Sequence, residues 1–482
     1  MKKFFLYMVF GGVLALPALL AGCEPEGASE PANVCFSTDT LLFDTVFTAK
    51  GSATRIVTVR NESRQNLTIS RVVQADGRYF RINLDGETEA AYLRDIELRA
   101  GDSLFLFVRA CIDPQGSRLP VLVTDRVRFE LSNGESRTLE LEAFGQDVVW
   151  IDSLIVYSDH TFTADKPYVV GRFVTVAPGA KATFEAGATF YMHKDAQMVL
   201  EGPVEMQGRA DAPVTFSGDR LDDYIPKIPY AYLPGQWSGV YLYDDAGAGP
   251  EWNLHHVRIL SAQNGLYCYG KRADNAPRLT LAHARIHNHD HYGLVLENMR
   301  AKVSDSEISN CASYCVYLMY GEYEFCHNTI ASYYRHTDYN SNVGLYPTAR
   351  EDVAGVYVNN LSKSKVTKVR FVNNIITGVR RNQVLIASPL PQYFDGVFRN
   401  NYLRCDTLAL PNAADNVYAQ DSDVVFRNDY YADYRYYDFR LDSLSPARGI
   451  ADTAVSRQYP RDLLDNERLT PDVGCYVFTA YE

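Results

Sequence analysis

The sequence is short of positive charge. Its 47 Lys and Arg stand against 59 Asp and Glu, for a formal net charge of −12. No basic patch or stripe relieves that balance, which argues against nucleic acid as a partner. The cysteine pattern also lacks the usual mark of a redox or zinc motif. Cys268, Cys311, Cys315 and Cys326 lie close together without forming a Cys-x-x-Cys pair. In an exported chain they would be free either to bridge or to pack as small buried residues, and spacing does not choose between these.

One long apolar run is present, from Phe4 to Ala21, behind Lys2 and Lys3. That arrangement reads as a secretory signal. It ends in Leu19-Leu20-Ala21-Gly22-Cys23, which resembles the lipobox of bacterial lipoproteins. The resemblance implies that residues 1–22 are removed and that Cys23 is lipidated, so that two or more acyl chains hold the protein to a membrane. Glu24-Pro25-Glu26-Gly27 and the Ala/Ser/Glu/Pro residues that follow cannot bury a core, and residues 23–34 are expected to be a flexible tether. Acidic residues beside the lipidated cysteine resemble the surface-export signal of Bacteroidetes lipoproteins. This implies an outer-membrane location facing the cell exterior.

What the rest contains is turn-rich β sequence. Tyrosine is abundant at 34 residues, and 31 glycines separate short apolar runs. Residues 35–147 alternate with period two in Arg55–Arg60, Leu67–Val72, Phe80–Leu84, Ser103–Val108, Asp125–Leu131 and Thr138–Ala143. Seven or so short strands over that length fit an immunoglobulin-like sandwich. The order of phrases, a V-x-V-x-N strand, then Phe80-Arg81-Ile82, Ala100-Gly101-Asp102, and Leu141-Glu-Ala-Phe-Gly-Gln-Asp147, resembles extracytoplasmic domains of the ASPM/SPD-2/Hydin type. Such domains serve as spacers or interaction modules.

Residues 148–482 change character. Between Tyr168 and Gly218 very short strands alternate with glycines, which supply the positive φ of tight corners. Ile259, Ile286, Ile308 and Ile330 then recur 27, 22 and 22 residues apart, and Asn288 and Asn310 repeat the 22-residue step as if stacked in a ladder. Such a period in β-rich units predicts a solenoid. A leucine-rich repeat would need a fixed leucine frame and a helical half, and both are missing. The segment resembles secreted right-handed parallel β-helix proteins of the pectate-lyase-like superfamily. The closing phrases Asp438–Leu441, Ser443–Gly449, Arg461–Arg468 and Pro471–Phe478 carry much of that likeness, with Asn466 and Cys475 where Gly and Ala are usual. The fold class is thus all-β: an N-terminal Ig-like sandwich followed by a right-handed parallel β-helix.

Polar groupings along the solenoid are the places to look for chemistry. His193-Lys194-Asp195 follows a strand and reads as a corner turn or a polar subsite. Asp219, Asp222 and Asp223, with Gly218 and Arg220 at the mouth of a loop ending near Trp237, could offer oxygens to Ca²⁺ or simply be solvated. His283, His287, His289 and His291 invite a metal reading, but are expected at a polar rung corner between Ile286 and Gly293. Tyr241, Tyr243, Tyr267, Tyr269, Tyr317 and Tyr320 could stack on sugar rings or anchor a protein, or be ordinary sheet surface. Interruptions at 335–355 and 388–425 read as projecting loops. No carboxylate array with a basic partner recurs from rung to rung, so no catalytic residues are assigned. The expected function is a lipid-anchored, non-enzymatic scaffold binding polysaccharide or another surface protein. A polysaccharide lyase or glycoside hydrolase, or a structural subunit of an outer-membrane complex, are the alternatives.

Overall fold

The computed structural model describes residues 34–88, 93–225, 228–272, 275–334, 354–361, 365–388, 390–405, 410–429 and 437–480. Cys23, the signal segment and the tether lie outside the described residues, as does most of the interruption at 335–355. Among the described residues no helix is long and apolar enough to cross a membrane. The chain divides into two compact units. The smaller comprises residues through Leu41, Ala53–Arg109 and Thr124–Leu141, and the larger comprises Leu42–Ser52, Ala110–Val123 and residues from Glu142 onward.

The antiparallel strands form a sandwich of two sheets. One has the order Val34–Phe36, Arg55–Asn61, Ser103–Ala110, Phe80–Leu84. The other runs Thr40–Phe47, Ser136–Gln146, Val121–Leu131, Leu67–Gln74, Arg94–Leu98. Period-two burial drives this pairing: Val57, Val59, Leu106, Val108, Val127 and Phe129 are buried while their neighbours face out. The V-x-V-x-N phrase ends on Asn61, which is buried and locks the following turn. Its amide donates to the Gln65 carbonyl at 2.8 Å and the Leu98 carbonyl at 3.0 Å, and its oxygen accepts from the Ser63 amide at 3.0 Å. The strands Val34–Phe36, Thr40–Phe47 and Arg94–Leu98 were not evident in the sequence.

From Val149 to Tyr418 the chain forms a parallel sheet of 26 strands coiled into a β-helix. Each coil contributes to three faces. One coil is Gln197–Leu200 on face A, Val204–Gln207 on face B and Val214–Gly218 on face C; the next is Gly239–Asp244, Glu251–His255 and Val257–Leu260. The register is strict. On face A, Met198, Val240, Leu266, Leu294, Val316, Val356 and Val384 pair in succession and point inward. On face C the recurring isoleucines are one column, Ile259–Ile286–Ile308–Ile330–Ile376, all fully buried. A one-residue slip would turn every such column to solvent, which is why the repeat is legible as a period.

Corners change device along the solenoid. Gly179 and Gly187 do hold φ of +85° and +86° in early coils. Later B-to-C corners instead place His256, His283, Asp305, His327, Asn373, Asn400 and Asp415 at φ between +48° and +59°. Asn and Asp tolerate this region best among residues with a side chain. Beside that column the side chains of Asn328, Asn374, Asn401 and Asn416 form a ladder, buried as far as Asn401, each amide donating to the next oxygen at 3.0, 3.0 and 2.9 Å. The expected Asn288–Asn310 ladder is present as well, at 2.9 Å.

The closing phrases are a strap lying along face C. Gly474 donates to the Asn373 carbonyl at 2.8 Å, and the Cys475 amide donates to the Thr329 hydroxyl at 3.1 Å. Gly474 has φ +90°, and a Cβ there would meet Ile375 at 2.6 Å, so only glycine fits. Asp462 accepts from the amides of Leu464, Asn466 and Val477, and Asp472 accepts from those of Gly449 and Phe478. These two aspartates therefore fold the strap, and Arg468 ties it to the coil through Asp305 at 2.7 Å, both side chains about fully buried.

Candidate functional site

Face A is where one residue type recurs outward. Residues alternate along each short strand, so Leu242 points in while Tyr241 and Tyr243 point out. Parallel register then stacks outward positions from coil to coil. One column reads Tyr241, Tyr267, Val295, Tyr317, Tyr357; its neighbour reads Tyr243, Tyr269, Glu297, Met319, Asn359. Tyr292 and Tyr314 widen the platform at the C-to-A corner. Ring centroids lie 6.1 Å apart for Tyr241–Tyr267, 5.5 Å for Tyr292–Tyr317, 5.4 Å for Tyr317–Tyr357 and 4.6 Å for the stacked Tyr314–Tyr357 pair. All these tyrosines are half-buried, neither core nor free side chains.

The hydroxyls are ordered as well as the rings. The Tyr267 hydroxyl donates to Glu297 at 3.2 Å, and the Asn359 amide donates to the Tyr317 hydroxyl at 2.6 Å. The Tyr241 hydroxyl donates to the Ser238 carbonyl at 3.3 Å. Burial, reinforced by Tyr241 and Asp245, pushes the Tyr243 phenol up to about 12. Burial and then the Glu297 carboxylate raise Tyr267, and burial raises Tyr317. The phenols of Tyr243, Tyr267 and Tyr317 therefore stay protonated, each with an apolar ring face beside it. Such a surface suits a ligand with apolar CH faces and many hydroxyls.

The polar groupings seen in the sequence fall elsewhere. His193 and Asp219, from separate groupings, meet one coil apart, with His193 Nδ1 2.7 Å from Asp219 Oδ2. Asp222 instead takes Arg220 in a two-pronged contact at 2.8 and 2.6 Å, and that guanidinium lies 4.0 Å over the Tyr230 ring. Asp223 sits in a two-stranded ribbon opposite Pro229. Asp195 is a corner residue at φ +63°, accepting from the Gln263 amide at 3.4 Å. Among the described residues no group of three or more His, Cys, Asp or Glu is arranged to hold a metal ion.

The histidines need a correction. His287 and His289 are not corner residues but lie in the face-C strand Arg285–His289, while His283 is the corner residue, at φ +54°. The shared face expected from their alternation is not formed, because Asn288 at φ +67° breaks the alternation. His287 lies outward beneath the strap, 2.7 Å from the Ser309 hydroxyl, and His289 is fully buried, accepting from the Ala262 amide at 3.2 Å. His291 is exposed on the C-to-A corner. Among the described residues, Cys268, Cys311, Cys315, Cys326 and Cys475 are buried thiols outside any disulfide.

Sequence reasoning singled out Tyr241, Tyr243, Tyr267, Tyr269 and Tyr317, together with Tyr320, which falls outside the columns at φ +46°; it missed Glu297, Asn359, Tyr292, Tyr314 and Tyr357. Tyr357 was hidden because the interruption at 335–355 lengthens its coil, so it falls off the 22-residue beat. Counting from Val316 to Val356 would have found it only with the register in hand.

No family model matches the chain, and no curated protein matches it. Among solved structures, a family 123 glycoside hydrolase from Clostridium perfringens is similar over 24% of this chain and 26% of its own, with 4% identity and a TM-score of 0.19. A likeness at that level assigns neither fold nor activity to this chain.

Proposed function

We propose that this protein is an exported lipoprotein whose β-helix binds an extended glycan along face A, without cleaving it. The observation that carries the reading is the run of tyrosines from Tyr241 to Tyr357, in register over successive coils with hydroxyls held in place. Coils repeat every ~4.8 Å, so a linear chain lying along the solenoid axis meets a ring at nearly every step. Each stacked ring adds contact area at little cost in side-chain order. Glycoside hydrolysis uses two carboxylates. The outward columns offer Glu297 alone, already bonded to Tyr267, and this favours binding over cleavage.

The remainder of the proposal rests on the sequence. Cys23 carries the lipid, the Ig-like sandwich of the ASPM/SPD-2/Hydin type acts as a spacer, and the pectate-lyase-like β-helix faces outward from the outer membrane of a member of the Bacteroidetes. Palmitate labelling of the wild type and of Cys23→Ala tests the anchor, with label lost in the variant. Incubation with a polysaccharide panel tests the function. Retention without new reducing or unsaturated ends is expected; release of such ends would point to a lyase or hydrolase. Stable co-purification with outer-membrane proteins, and no glycan retention, would point to a structural subunit.

A further inference from the structure

We infer that face A selects glycans without carboxylate or sulfate groups, and that Glu297 is the residue that enforces the selection. The inference rests on the reading of face A as a glycan site. The outward residues of its strands are Gln197 and Val199, then Tyr241 and Tyr243, Tyr267 and Tyr269, Val295 and Glu297, Tyr317 and Met319, Tyr357 and Asn359, Leu385 and Ala387. None is Lys or Arg. Among these described outward residues an anionic sugar would find no guanidinium or ammonium to pair with, and it would lie over the negative faces of the rings.

Glu297 adds a carboxylate in the middle of the aromatic run, one coil from Tyr269 and one from Met319. Its oxygen already accepts from Tyr267, which fixes it at the surface and leaves acceptor capacity for a sugar hydroxyl. A hydroxyl can donate to it; a second carboxylate is repelled. The corner after face A repeats the sign. Glu201 and Asp245 occupy neighbouring coils there, and burial together with Asp245 holds Glu201 above the ordinary carboxylate range. Two cations nearby are turned to other work: Lys271 donates to the Asp245 carbonyl at 2.9 Å, and Lys365 lies 4.9 Å over the Tyr320 ring at the edge.

The test is affinity electrophoresis of the purified full chain in gels containing a neutral glucan, mannan or xylan, or polygalacturonate or alginate, at low and at 0.5 M salt. The expected result is retardation by at least one neutral glycan and, at low salt, binding to the uronates at least ~10-fold weaker. Glu297→Gln, which keeps an acceptor for Tyr267, is expected to narrow that gap several-fold, chiefly by tightening uronate binding. Equal or tighter wild-type binding of polygalacturonate overturns the inference while leaving glycan binding intact. A gap unchanged in Glu297→Gln overturns the assignment to that residue. Retention by none of the glycans overturns the reading of face A itself.

Discussion

Tyr476 and Glu307 are 169 residues apart in the chain, and the Tyr476 hydroxyl donates to the Glu307 carboxylate at 2.5 Å in full burial. The contact joins the closing strap to the middle of face C. Around Glu307 stand Arg285 at 3.2 Å and the Ser309 hydroxyl at 2.7 Å. Burial alone would raise the Glu307 carboxyl; Arg285, His287 and these hydroxyls more than offset it and hold the group below its ordinary range. Tyr476→Phe removes one hydrogen bond to a buried charge and should lower stability by about 1.5–3 kcal/mol. Urea unfolding of wild type and variant measures this, and an unchanged midpoint would contradict it.

The Arg468–Asp305 pair should matter more. Both side chains are almost wholly buried, and burial pushes Asp305 up against the pull of Arg468. Arg468→Met strands the carboxylate, at a cost of about 3–5 kcal/mol. Adding Asp305→Asn should recover much of the loss. The measurement is thermal melting, with limited proteolysis between residues 437 and 480 reporting whether the strap detaches first.

Acid should loosen the solenoid through its histidines. Burial, followed by His287, lowers His289 to about 3, and burial lowers His327 well below its ordinary value. Both are fully buried. In the unfolded chain each binds a proton near pH ~6.5, so folding is favoured fully above that pH. The contribution is lost as pH falls from ~6.5 toward the folded values, by about 1 kcal/mol per pH unit for each histidine. Urea midpoints between pH 7.5 and 5 should fall accordingly, and His289→Phe should flatten the slope.

Asn374 is the hinge of the asparagine ladder. Its amide donates to the Phe325 carbonyl at 2.9 Å and to Asn401 at 3.0 Å, and its oxygen accepts from the Asn328 amide nitrogen at 2.9 Å. Asn374→Ala leaves buried groups unpaired on both sides, each costing about 1–3 kcal/mol. Asn310→Ala, at the shorter Asn288 ladder, should cost less. Differential scanning calorimetry on the two variants ranks them.

These ladders also show what was legible in advance. Asn288 and Asn310 were readable because uninterrupted coils keep a constant 22-residue step, as were the isoleucines of face C. The longer ladder was not, since Asn328, Asn374, Asn401 and Asn416 are spaced by 46, 27 and 15 residues. Loop insertions change sequence spacing without changing register, so a column survives where a period does not. The same cause hid Tyr357. Glu297 was missed for another reason: a lone carboxylate gains meaning only from the rings beside it. The strap phrases were recognisable as a closing signature, but that Asp462 and Asp472 serve to cap backbone amides emerged only from their hydrogen bonds.

The central claim is that the tyrosines of face A bind glycan. Its most direct test is quantitative retention of purified protein on a polysaccharide panel, comparing wild type with Tyr317→Ala and Tyr357→Ala at matched folding by circular dichroism. Loss of a central stacking ring costs on the order of 1–2 kcal/mol, so each variant should bind about tenfold more weakly with its melting curve little changed. Equal retention of wild type and both variants, or release of sugar ends by the wild type, would contradict it.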